Sequence, residues 1–366
     1  MASLPAGPGV VHVGMDTSMR EIVCGVLRPG MEVPAVDRIP NDEESVRRLI
    51  GKLGDRRRLA VCYEAGPSGY ELHRLITSMG VACEVIAPSL IPKGASERVK
   101  TDRRDAVRLA LALRAGMLTP VRVPSPAEEA VRDMVRARGD LMDDRRRMQQ
   151  RLSAFLLRHG RTWSGGTKWT IAHRLWVDRQ QFDEAALQDA LDAYRGGLEA
   201  REAELRAAEA RLSAWAGREP LAASVARLSA YRGIAELTAL TLAAEVVDWH
   251  RFPSARAFMG FTGLIPSEYS SGTRTRRGSI TKAGPEGVRT ALAESAWSCR
   301  YRPAIGATLR RRQAGAEAGT LARSWKAQQR LHAACKKMTA RGKPRGVAVT
   351  AVARELAGFV WAEMTS

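Results

Sequence analysis

The first 120 residues alternate short apolar runs with amphipathic segments, a pattern typical of strands and helices packed in layers. Apolar runs bounded by turn residues predict five strands, at 10–16, 21–27, just before Pro40, 59–63 and 82–87. Amphipathic segments predict three helices, at 41–53 with Asn41 as N-cap, from the turn at 66–69 to Gly80, and at 102–115. Three early strands followed by alternating helices and strands indicate an α/β domain with helices on a mixed sheet.

Beyond residue 123 the strand pattern gives way to two heptad repeats, which are typical of long paired helices. The first seam runs through Val131, Met134, Arg138, Leu141, Arg145, Met148, Leu152 and Phe155. The second seam runs through Leu187, Leu191, Tyr194, Leu198, Arg201, Leu205, Ala208, Leu212 and Trp215. Two such helices can pair antiparallel within one chain, with Gly165-Gly166 in the tip, or they can pair between chains.

A third, mostly helical region begins at about residue 221. Gly233-Ile234-Ala235 lies there between an apolar run and a predicted helix over 237–247. This turn resembles a helix-hairpin-helix, which holds a DNA phosphate, but Ala replaces its last Gly and an ordinary helix–helix turn fits equally well. The chain is therefore divided by its pattern into an α/β domain over 1–122, a helical coiled-coil arm over 123–220 and a mostly α-helical C-terminal domain over 221–366.

Positive charge dominates the 366-residue chain, which has 58 Lys and Arg against 39 Asp and Glu and a formal charge of +19. Such an excess usually means a polyanionic partner, most commonly nucleic acid, and the alternative is a solvated basic surface. No apolar run reaches the roughly 18 residues of a bilayer-spanning helix, so no membrane partner is expected. Five cysteines without a CxxC pair, and an N-terminus unlike a signal peptide, predict a cytoplasmic location.

Four acidic residues stand where an α/β domain can bring them together. Asp16 ends the first predicted strand and Glu64 follows a central one, while Asp102 and Asp105 share a helix face at i, i+3 spacing. Such carboxylates suit hard cations, and two Mg²⁺ ions roughly 4 Å apart can activate an attacking oxygen and stabilise a leaving one. The alternative is structural, with Asp102 as an N-cap and Asp105 as an acid favoured by the helix dipole.

Basic residues surround the start of that helix: Lys93, Arg98, Lys100, Arg103 and Arg104. Acids amid this much positive charge are placed to hold metal beside a phosphate backbone. Lys100, Arg103 and Arg104 are therefore predicted to contact nucleic acid. The residues alone thus predict metal-dependent cleavage of nucleic acid, with Mg²⁺ as the cofactor and Mn²⁺ as its substitute.

Three motifs carry a resemblance to a known family. They are Gly14-Met15-Asp16, Tyr63-Glu64-Ala65-Gly66-Pro67-Ser68-Gly69-Tyr70 and Lys100-Thr101-Asp102-Arg103-Arg104-Asp105-Ala106. The chain resembles the DEDD transposases of bacterial insertion sequences, the family of bridge-RNA-guided recombinases. The resemblance implies an RNase H-like (RuvC-like) N-terminal domain whose metal ligands are Asp16, Glu64, Asp102 and Asp105. It continues at the other end of the chain and so covers nearly all of it.

The segment from Phe252 to Gly284 resembles the second domain of the same family. Read alone, it is a Gly-, Ser- and Arg-rich loop between helices, suited to phosphate contact or to a solvated surface. The resemblance implies a serine nucleophile on this loop, and Ser271 is the matching position, with Ser270 as the alternative register. The cations expected to neutralise charge on the phosphate are Arg274, Arg276, Arg277 and Lys282.

The resemblance also implies, as partners, donor and target DNA and a structured guide RNA that pairs with both. The apolar seams of the long, charged helices predict a homo-oligomer, either a dimer or a tetramer, with the arm in its interface. The expected function is a transposase that cuts and rejoins DNA through metal ions and a serine. One alternative is a structure-selective nuclease of the Holliday-junction resolvase type, which does not need the Ser271 loop. The other is a non-catalytic nucleic-acid-binding protein, against which the presence of all four acids argues.

Overall fold

The computed structural model describes residues 4–5, 7–88, 91–92, 101–269 and 276–366. The chain forms two compact units, Met1–Val123 and Pro124–Ser366. The first unit is a mixed α/β unit and the second is mostly helical, as the sequence predicts. The division into three domains, with boundaries at residues 122 and 220, stays a prediction.

A five-stranded sheet forms the centre of the first unit. Its strands are β1 (Val11–Thr17), β2 (Glu21–Leu27), β3 (Ala35–Pro40), β4 (Leu59–Glu64) and β5 (Ala82–Ile86), and its helices are α1 (Glu43–Leu53), α2 (Glu71–Ser78) and α3 (Asp102–Arg114). The strand order is β3-β2-β1-β4-β5. Because β1 pairs antiparallel with β2 and parallel with β4, the predicted mixed sheet is confirmed.

The two faces of this sheet are covered by different helices, because successive side chains of a strand point to opposite faces. Val13 and Met15 of β1 belong to the cluster that includes Ile50 of α1 and Ile76 of α2. Ala60 and Cys62 of β4 instead belong to a cluster with Leu109 and Leu113 of α3. Helix α3 therefore covers the face of the sheet on which Gly14 of β1 lies.

The cap of α1 differs by one residue from the prediction. Asp42, and not Asn41, accepts a hydrogen bond from the backbone N–H of Ser45, at 2.7 Å. The side-chain amide of Asn41 donates to the carbonyl of Ser18, at 2.6 Å, and so fastens the end of β3 to the turn between β1 and β2. The tertiary contact claims Asn41, and the next residue with a short carboxylate takes the cap.

The second unit consists mainly of helices. They are α4 (Pro126–Arg158), α5 (Ile171–Asp178), α6 (Ala185–Ala216), α7 (Ala222–Ser229), α8 (Glu236–Val246), α9 (Ala255–Phe261), α10 (Glu286–Ala296), α11 (Ala307–Arg312), α12 (Ala318–Ala340) and α13 (Arg345–Met364). A short antiparallel hairpin, β6 (Pro266–Glu268) and β7 (Arg277–Ile280), lies between α9 and α10. Among the described residues, no helix has the length and apolar character that crossing a bilayer requires.

Helices α4 and α6 pair antiparallel within the chain and form, with α5, an arm over residues 126–216. Near its base, Val135 lies in the same core cluster as Leu212 of α6. Near its tip, the ring of Phe155 lies 5.2 Å from that of Tyr194. Early residues of α4 thus meet late residues of α6, and the pairing within one chain is the arrangement that forms.

The second heptad seam is confirmed along most of its length, since Leu191, Leu198, Leu205, Ala208 and Leu212 are buried. Trp215 was expected to continue it and is exposed, so that prediction is wrong, and Ala216 is buried in its place. A straight α-helix drifts about 20° per heptad relative to a strict seven-residue repeat. Over the four heptads from Leu187 to Trp215 this drift adds up to nearly the angle between neighbouring residues, so Ala216 takes the inward position. In the middle of α4, Leu141 and Met148 remain only half-buried.

The turn between α7 and α8 is packed inside the unit. Gly233 has a φ of 86°, and a β-carbon there would lie 2.3 Å from the carbonyl oxygen of Ser295. Ile234 is fully buried, and its carbonyl accepts a hydrogen bond from Arg312. This packing favours an ordinary helix–helix turn over a phosphate-binding hairpin.

A buried carboxylate joins three helices of the second unit. Glu363 of α13 has no exposed surface. Its oxygens accept hydrogen bonds from Arg323 Nε at 2.6 Å, Arg227 Nε at 3.0 Å, Tyr231 Oη at 3.0 Å and Thr320 Oγ1 at 2.6 Å. Burial alone would raise the pKa of Glu363, but these hydrogen bonds outweigh it and hold the pKa below its ordinary value.

Candidate functional site

Two glycines set the position of α3 on the sheet. Gly14 of β1 and Gly25 of β2 are cross-strand partners. A β-carbon at Gly14 would lie 2.4 Å from the backbone nitrogen of Ala110, and one at Gly25 would lie 2.6 Å from the carbonyl oxygen of Ala106. Only glycine allows such close approach of two backbones. The helix is therefore held against the sheet at Ala106, next to Asp105.

Helix α3 runs antiparallel to β1. Its last turn, at Leu113, packs in one cluster with Val10 at the start of β1. One turn earlier, the carbonyl of Leu109 accepts a weak hydrogen bond from Cys62 Sγ, at 3.8 Å. Another turn earlier, Ala106 lies against Gly14 and Gly25. The first turn of α3 therefore lies toward the end of β1.

Asp16 and Glu64 stand side by side at that end of the sheet. The parallel register pairs Met15 with Tyr63, so the two acids follow the last matched pair. Asp16 comes two residues after Gly14 and Glu64 two residues after Cys62, which places both acids on the face that α3 covers. Both side chains are half-buried.

Asp102 and Asp105 occupy the first turn of α3. Thr101 is the N-cap and accepts a hydrogen bond from the backbone N–H of Arg104, so the alternative in which Asp102 is the cap is wrong. Asp102 is exposed, whereas Asp105 is only 3% exposed. Arg108 Nη2 donates to Asp105 Oδ1 at 2.5 Å.

The second carboxylate oxygen of Asp105 is the unusual feature of this turn. Oδ2 is buried and meets no hydrogen-bond partner within the described ranges. A buried oxygen of this kind needs an explanation, and a bound cation is one that suits a carboxylate. The group thus fits a metal ligand.

The four acids are brought to one end of the sheet but are not gathered into a finished metal centre. In the part of the chain that the structure describes, no three His, Cys, Asp or Glu side chains lie close enough to hold one ion together. Asp105 is buried, Asp16 and Glu64 are half-buried and Asp102 is exposed. The acids therefore range from the core to the surface at this edge.

Positive charge lies beside the acids along α3. Arg103 and Arg104 are exposed in its first turn, and an open groove of about 820 Å³ runs past them. The groove is lined by Pro92, Thr101, Arg103, Arg104, Val107, Arg108, Leu111, Ala112, Ala115 and Met117. Arg108 was not singled out from the sequence, although its i, i+3 spacing from Asp105 was a usable signal. Lys100, the third predicted cation here, lies outside the described residues.

The predicted serine loop is only partly described. Ser271, its alternative Ser270 and Arg274 lie outside the described residues. Arg276 and Arg277 lie in the hairpin that flanks the loop and are exposed. There the backbone N–H of Tyr269 donates to the carbonyl of Arg276 at 2.8 Å, and Arg277 Nε lies 3.7 Å from a carboxylate oxygen of Glu268.

The base of this hairpin is tightly packed. Lys282 is exposed and has a φ of 54°, unusual for a residue with a side chain. Its backbone N–H donates to the carbonyl of Gly263 at 3.0 Å. A β-carbon at Gly284 would lie 1.5 Å from the carbonyl oxygen of Phe261. These contacts fasten the segment after β7 to the end of α9.

Comparison with known proteins assigns the class. Residues 13–160 match a family model of DEDD transposases of the IS110 type, described as "Transposase", and residues 225–313 match the model described as "Transposase IS116/IS110/IS902 family". The chain is 42% identical over 353 residues to "Putative transposase y4qE" of Sinorhizobium fredii, covering 96% of this chain and 87% of that protein. It is 32% identical over 330 residues to "Transposase for insertion sequence element IS1533" of Leptospira borgpetersenii, covering 88% of this chain and 94% of that protein.

The chain belongs to the DEDD transposases of insertion sequences, in the IS116/IS110/IS902 family. The resemblance found in its motifs is thereby confirmed. Membership makes it an enzyme of DNA recombination, with DNA as its partner. The excess of positive charge has a physical reason in that partner, because Lys and Arg neutralise the phosphate backbone.

Proposed function

We propose that this transposase cuts and rejoins DNA strands with divalent metal ions held by Asp16, Glu64, Asp102 and Asp105 and with Ser271 as the nucleophile. The observation that carries the metal site is the buried oxygen of Asp105 without a partner among the described residues. The proposal includes an RNase H-like, RuvC-like first unit. Its mixed five-stranded sheet, with acids at the ends of β1 and β4, supports that fold.

The four acids suit Mg²⁺, with Mn²⁺ as a substitute. Magnesium is usually held by one or two carboxylates and completed by water and substrate phosphates, so DNA would complete the site. When bound, such ions lower the pKa of an attacking oxygen and stabilise a leaving one. Arg108 fixes the Asp105 carboxylate through Oδ1 and leaves Oδ2 for a ligand.

Ser271 supplies the proposed covalent step. Its Oγ forms a bond to the phosphorus while the bond from phosphorus to one deoxyribose oxygen breaks. The serine gives up its proton and the leaving oxygen takes one. The phosphoserine link keeps the number of phosphoester bonds constant, so the strand can be rejoined without an external energy source. The exposed cations Arg276, Arg277 and Lys282 flank the loop and suit charge neutralisation on the phosphate.

Guidance by a structured RNA is the third part of the proposal. Base pairing would then specify the DNA, and the protein would bind backbones and shape. The charge of +19 suits two polyanionic partners. Sequencing the small RNAs that co-purify with the protein tests this part, and the recovery of no defined RNA species with an active protein would refute it.

A suicide DNA substrate, in which the cleaved end cannot be rejoined, tests the chemistry. We expect a denaturation-resistant protein–DNA adduct that Ser271→Ala abolishes without loss of DNA binding. Asp105→Asn should abolish the same adduct, whereas Asp133→Asn, at an exposed acid of α4, should not. An adduct that persists in Ser271→Ala but is lost in Ser270→Ala would move the nucleophile by one residue.

Two other results would replace the proposal. Hydrolysis of DNA that depends on Asp105 but not on Ser271 or Ser270 would identify a resolvase-like nuclease. Calorimetry with Mg²⁺ compares the unaltered protein with Asp105→Asn. If Asp105→Asn does not change Mg²⁺ binding and the unaltered protein does not cleave DNA, the protein is a non-catalytic binding protein.

A further inference from the structure

Aromatic residues are concentrated at the tip of the arm. Three of the eight tryptophans of the chain surround His173. They are Trp163 and Trp169, which precede α5, and Trp176, which lies on it. The ring of His173 lies 5.5 Å from that of Trp163, 4.9 Å from that of Trp169 and 5.6 Å from that of Trp176. The tryptophans are half-buried, so they keep part of their rings open to solvent.

A cavity of about 200 Å³ opens among these rings, and we call it the tip pocket. It is lined by Ser153, Leu156, Leu157, Arg161, Thr162, Trp163, Lys168, His173 and Trp176. A cavity of roughly 150 Å³ accommodates benzene. The tip pocket therefore has room for one planar aromatic ring system, and its walls combine apolar and aromatic side chains with polar and basic ones.

Polar atoms in the walls of the tip pocket are left without partners. Within the described residues, His173 Nδ1 and Trp163 Nε1 are buried and form no hydrogen bond. His173 is only 2% exposed. Burial first, and then the charges of Lys168 and Arg174, lower the pKa of His173, so its ring is neutral at pH 7. A neutral imidazole and an indole N–H can serve a ligand that has both donors and acceptors.

The backbone around the tip pocket is held in an unusual shape. Trp169 has a φ of 65°, which is an outlier for a bulky side chain. A β-carbon at Gly165 would lie 2.2 Å from the Trp163 ring, so glycine lets the chain pass over that ring. Such strain occurs at ligand-binding segments more often than in ordinary cores.

The charge around the tip pocket selects an anionic ligand. Residues 151–183 contain six Lys or Arg and two Asp. Arg174 is engaged by Glu202, at 2.6 and 3.0 Å, and Arg161 donates to the carbonyl of Gln181 at 3.2 Å. Lys168 is exposed and forms no ion pair with any described residue. One cation at the mouth of the pocket is thus available to a phosphate.

We propose that the tip pocket binds an unpaired nucleobase of RNA or single-stranded DNA. The base stacks on the open part of the Trp163 ring beside Trp176, its polar edge meets His173, and Lys168 contacts the adjoining phosphate. Stacking on aromatic side chains with a basic residue alongside is how proteins hold unpaired bases. The inference rests on the proposed function only in taking nucleic acid as the partner, and it needs neither metal nor cleavage.

The test measures binding by the full-length protein, in metal-free buffer, of short labelled oligouridylate, oligothymidylate and an abasic strand of equal length. Trp163→Leu should weaken binding of the base-bearing strands by about 5- to 150-fold, the range for stacking one base on an aromatic ring. It should leave the abasic strand unaffected. Trp215→Leu, at an exposed tryptophan near the base of the arm, is the matched control and should change nothing. Comparison of the two base-bearing strands assigns the natural ligand to RNA or to DNA.

Lys168→Gln keeps the test valid if the tryptophan change unfolds the tip, because Lys168 is exposed. This substitution should weaken binding of the base-bearing and abasic strands equally. It should also reduce the slope of log K against log salt by about 0.7, the contribution of one phosphate contact on a single strand. Light-induced cross-linking of a strand that contains 5-iodouracil should label Trp163 or Trp176.

Equal binding of abasic and base-bearing strands by the unaltered protein would overturn the inference. A Trp163→Leu variant that binds all strands as Trp215→Leu does would also overturn it. So would a Trp163→Leu variant that changes only the oligomer mass, because the tip pocket would then be a contact between copies of the chain. Substitutions of the four acids distinguish this inference from the proposed function. We expect them to abolish DNA cleavage and to leave base-dependent binding intact, because they affect only the metal site.

Discussion

Gly14 and Gly25 face each other across β1 and β2, and the backbone of α3 occupies the space that a side chain at either position would fill. This contact brings the first turn of α3, with Asp102 and Asp105, toward the strand ends that carry Asp16 and Glu64. The arrangement of the candidate metal site therefore depends on two residues that carry no functional group.

Gly25→Ala should displace α3 from the sheet, because its β-carbon would lie 2.6 Å from a backbone oxygen that cannot rotate away. We expect a loss of about 1–3 kcal/mol in the free energy of unfolding, typical of overpacking. Strand cleavage should fall more than DNA binding does. Denaturant unfolding and a cleavage assay measure the two effects.

Gly51→Ala is the matched control for that substitution. Gly51 lies within α1, and its added β-carbon would meet no atom within 4 Å. Since alanine favours helix over glycine by about 1 kcal/mol, this variant should be as stable as the unaltered protein or more so. A Gly25→Ala protein with unchanged stability and cleavage would contradict the proposed role of the glycine pair.

Glu363→Gln should destabilise the second unit, because it leaves Arg227 and Arg323 without their buried counter-charge. Removing one partner of a buried ion-pair network costs about 3–5 kcal/mol. Glu355→Gln, on the same helix, removes a surface pair with Arg330 and should cost about 0–1 kcal/mol. Denaturant unfolding of both variants compares the two positions.

The pH dependence of stability offers a second measurement on Glu363. The pKa of Glu363 is lowered in the folded protein, so its contribution is present above the ordinary carboxyl pKa of about 4.3. The contribution is lost as pH falls through the lower folded-state value. The stability difference between the unaltered protein and Glu363→Gln should therefore shrink below about pH 4. A difference that stays constant with acidification would show that Glu363 is not ionised in the fold.

The arm is expected to contribute to a homo-oligomer. Leu141 stays half-buried in the middle of the seam, where a second arm can cover it. Leu141→Glu should lower the mass measured by light scattering, whereas Val347→Glu, at an exposed residue of α13, should not. Arg138 is already engaged by Glu209 at 2.6 Å, which limits how apolar the contact can be. A strictly monomeric protein, with and without nucleic acid, would rule out this role for the arm.

Binding to DNA should weaken steeply with salt, because Lys and Arg displace condensed counterions. Each phosphate contact contributes about 0.9 to the slope of log K against log salt on duplex DNA. Changing both Arg103 and Arg104 to Gln should reduce that slope by about 2, while Arg48→Gln, whose side chain pairs with Glu44 on α1, should leave it unchanged. Tight, salt-insensitive binding to one duplex sequence would contradict this interpretation.

The elements that follow from local pattern are the ones that the sequence predicted well. Apolar runs bounded by turn residues located β1, β2 and β4 within about one residue, and the heptads located both arm helices. The misplaced cap at Asn41 has a different origin. Both Asn41 and Asp42 can cap a helix, and a hydrogen bond to Ser18, 23 positions earlier, decides between them.

Long-range geometry limited the prediction of the site in the same way. The strand-end positions of Asp16 and Glu64 followed from where apolar runs stop. The close approach of α3 to Gly14 and Gly25 did not follow, because spacing alone does not tell which helix crosses which strands. The sequence did not predict the aromatic cluster at the tip, because its tryptophans fit no repeat and meet only after the arm folds back on itself.

The lengths of the two long helices set the distance between the base and the tip of the arm. Helix α4 has 33 residues and so spans about 50 Å, from a base that shares its core with the C-terminal helices to the aromatic tip. Removing one heptad from each helix would shorten that span by about 10 Å and preserve the seam, whereas removing three or four residues would rotate the tip about the arm axis. If the tip pocket holds an unpaired base as proposed, the distance between that contact and the base of the arm changes in discrete steps with the lengths of α4 and α6.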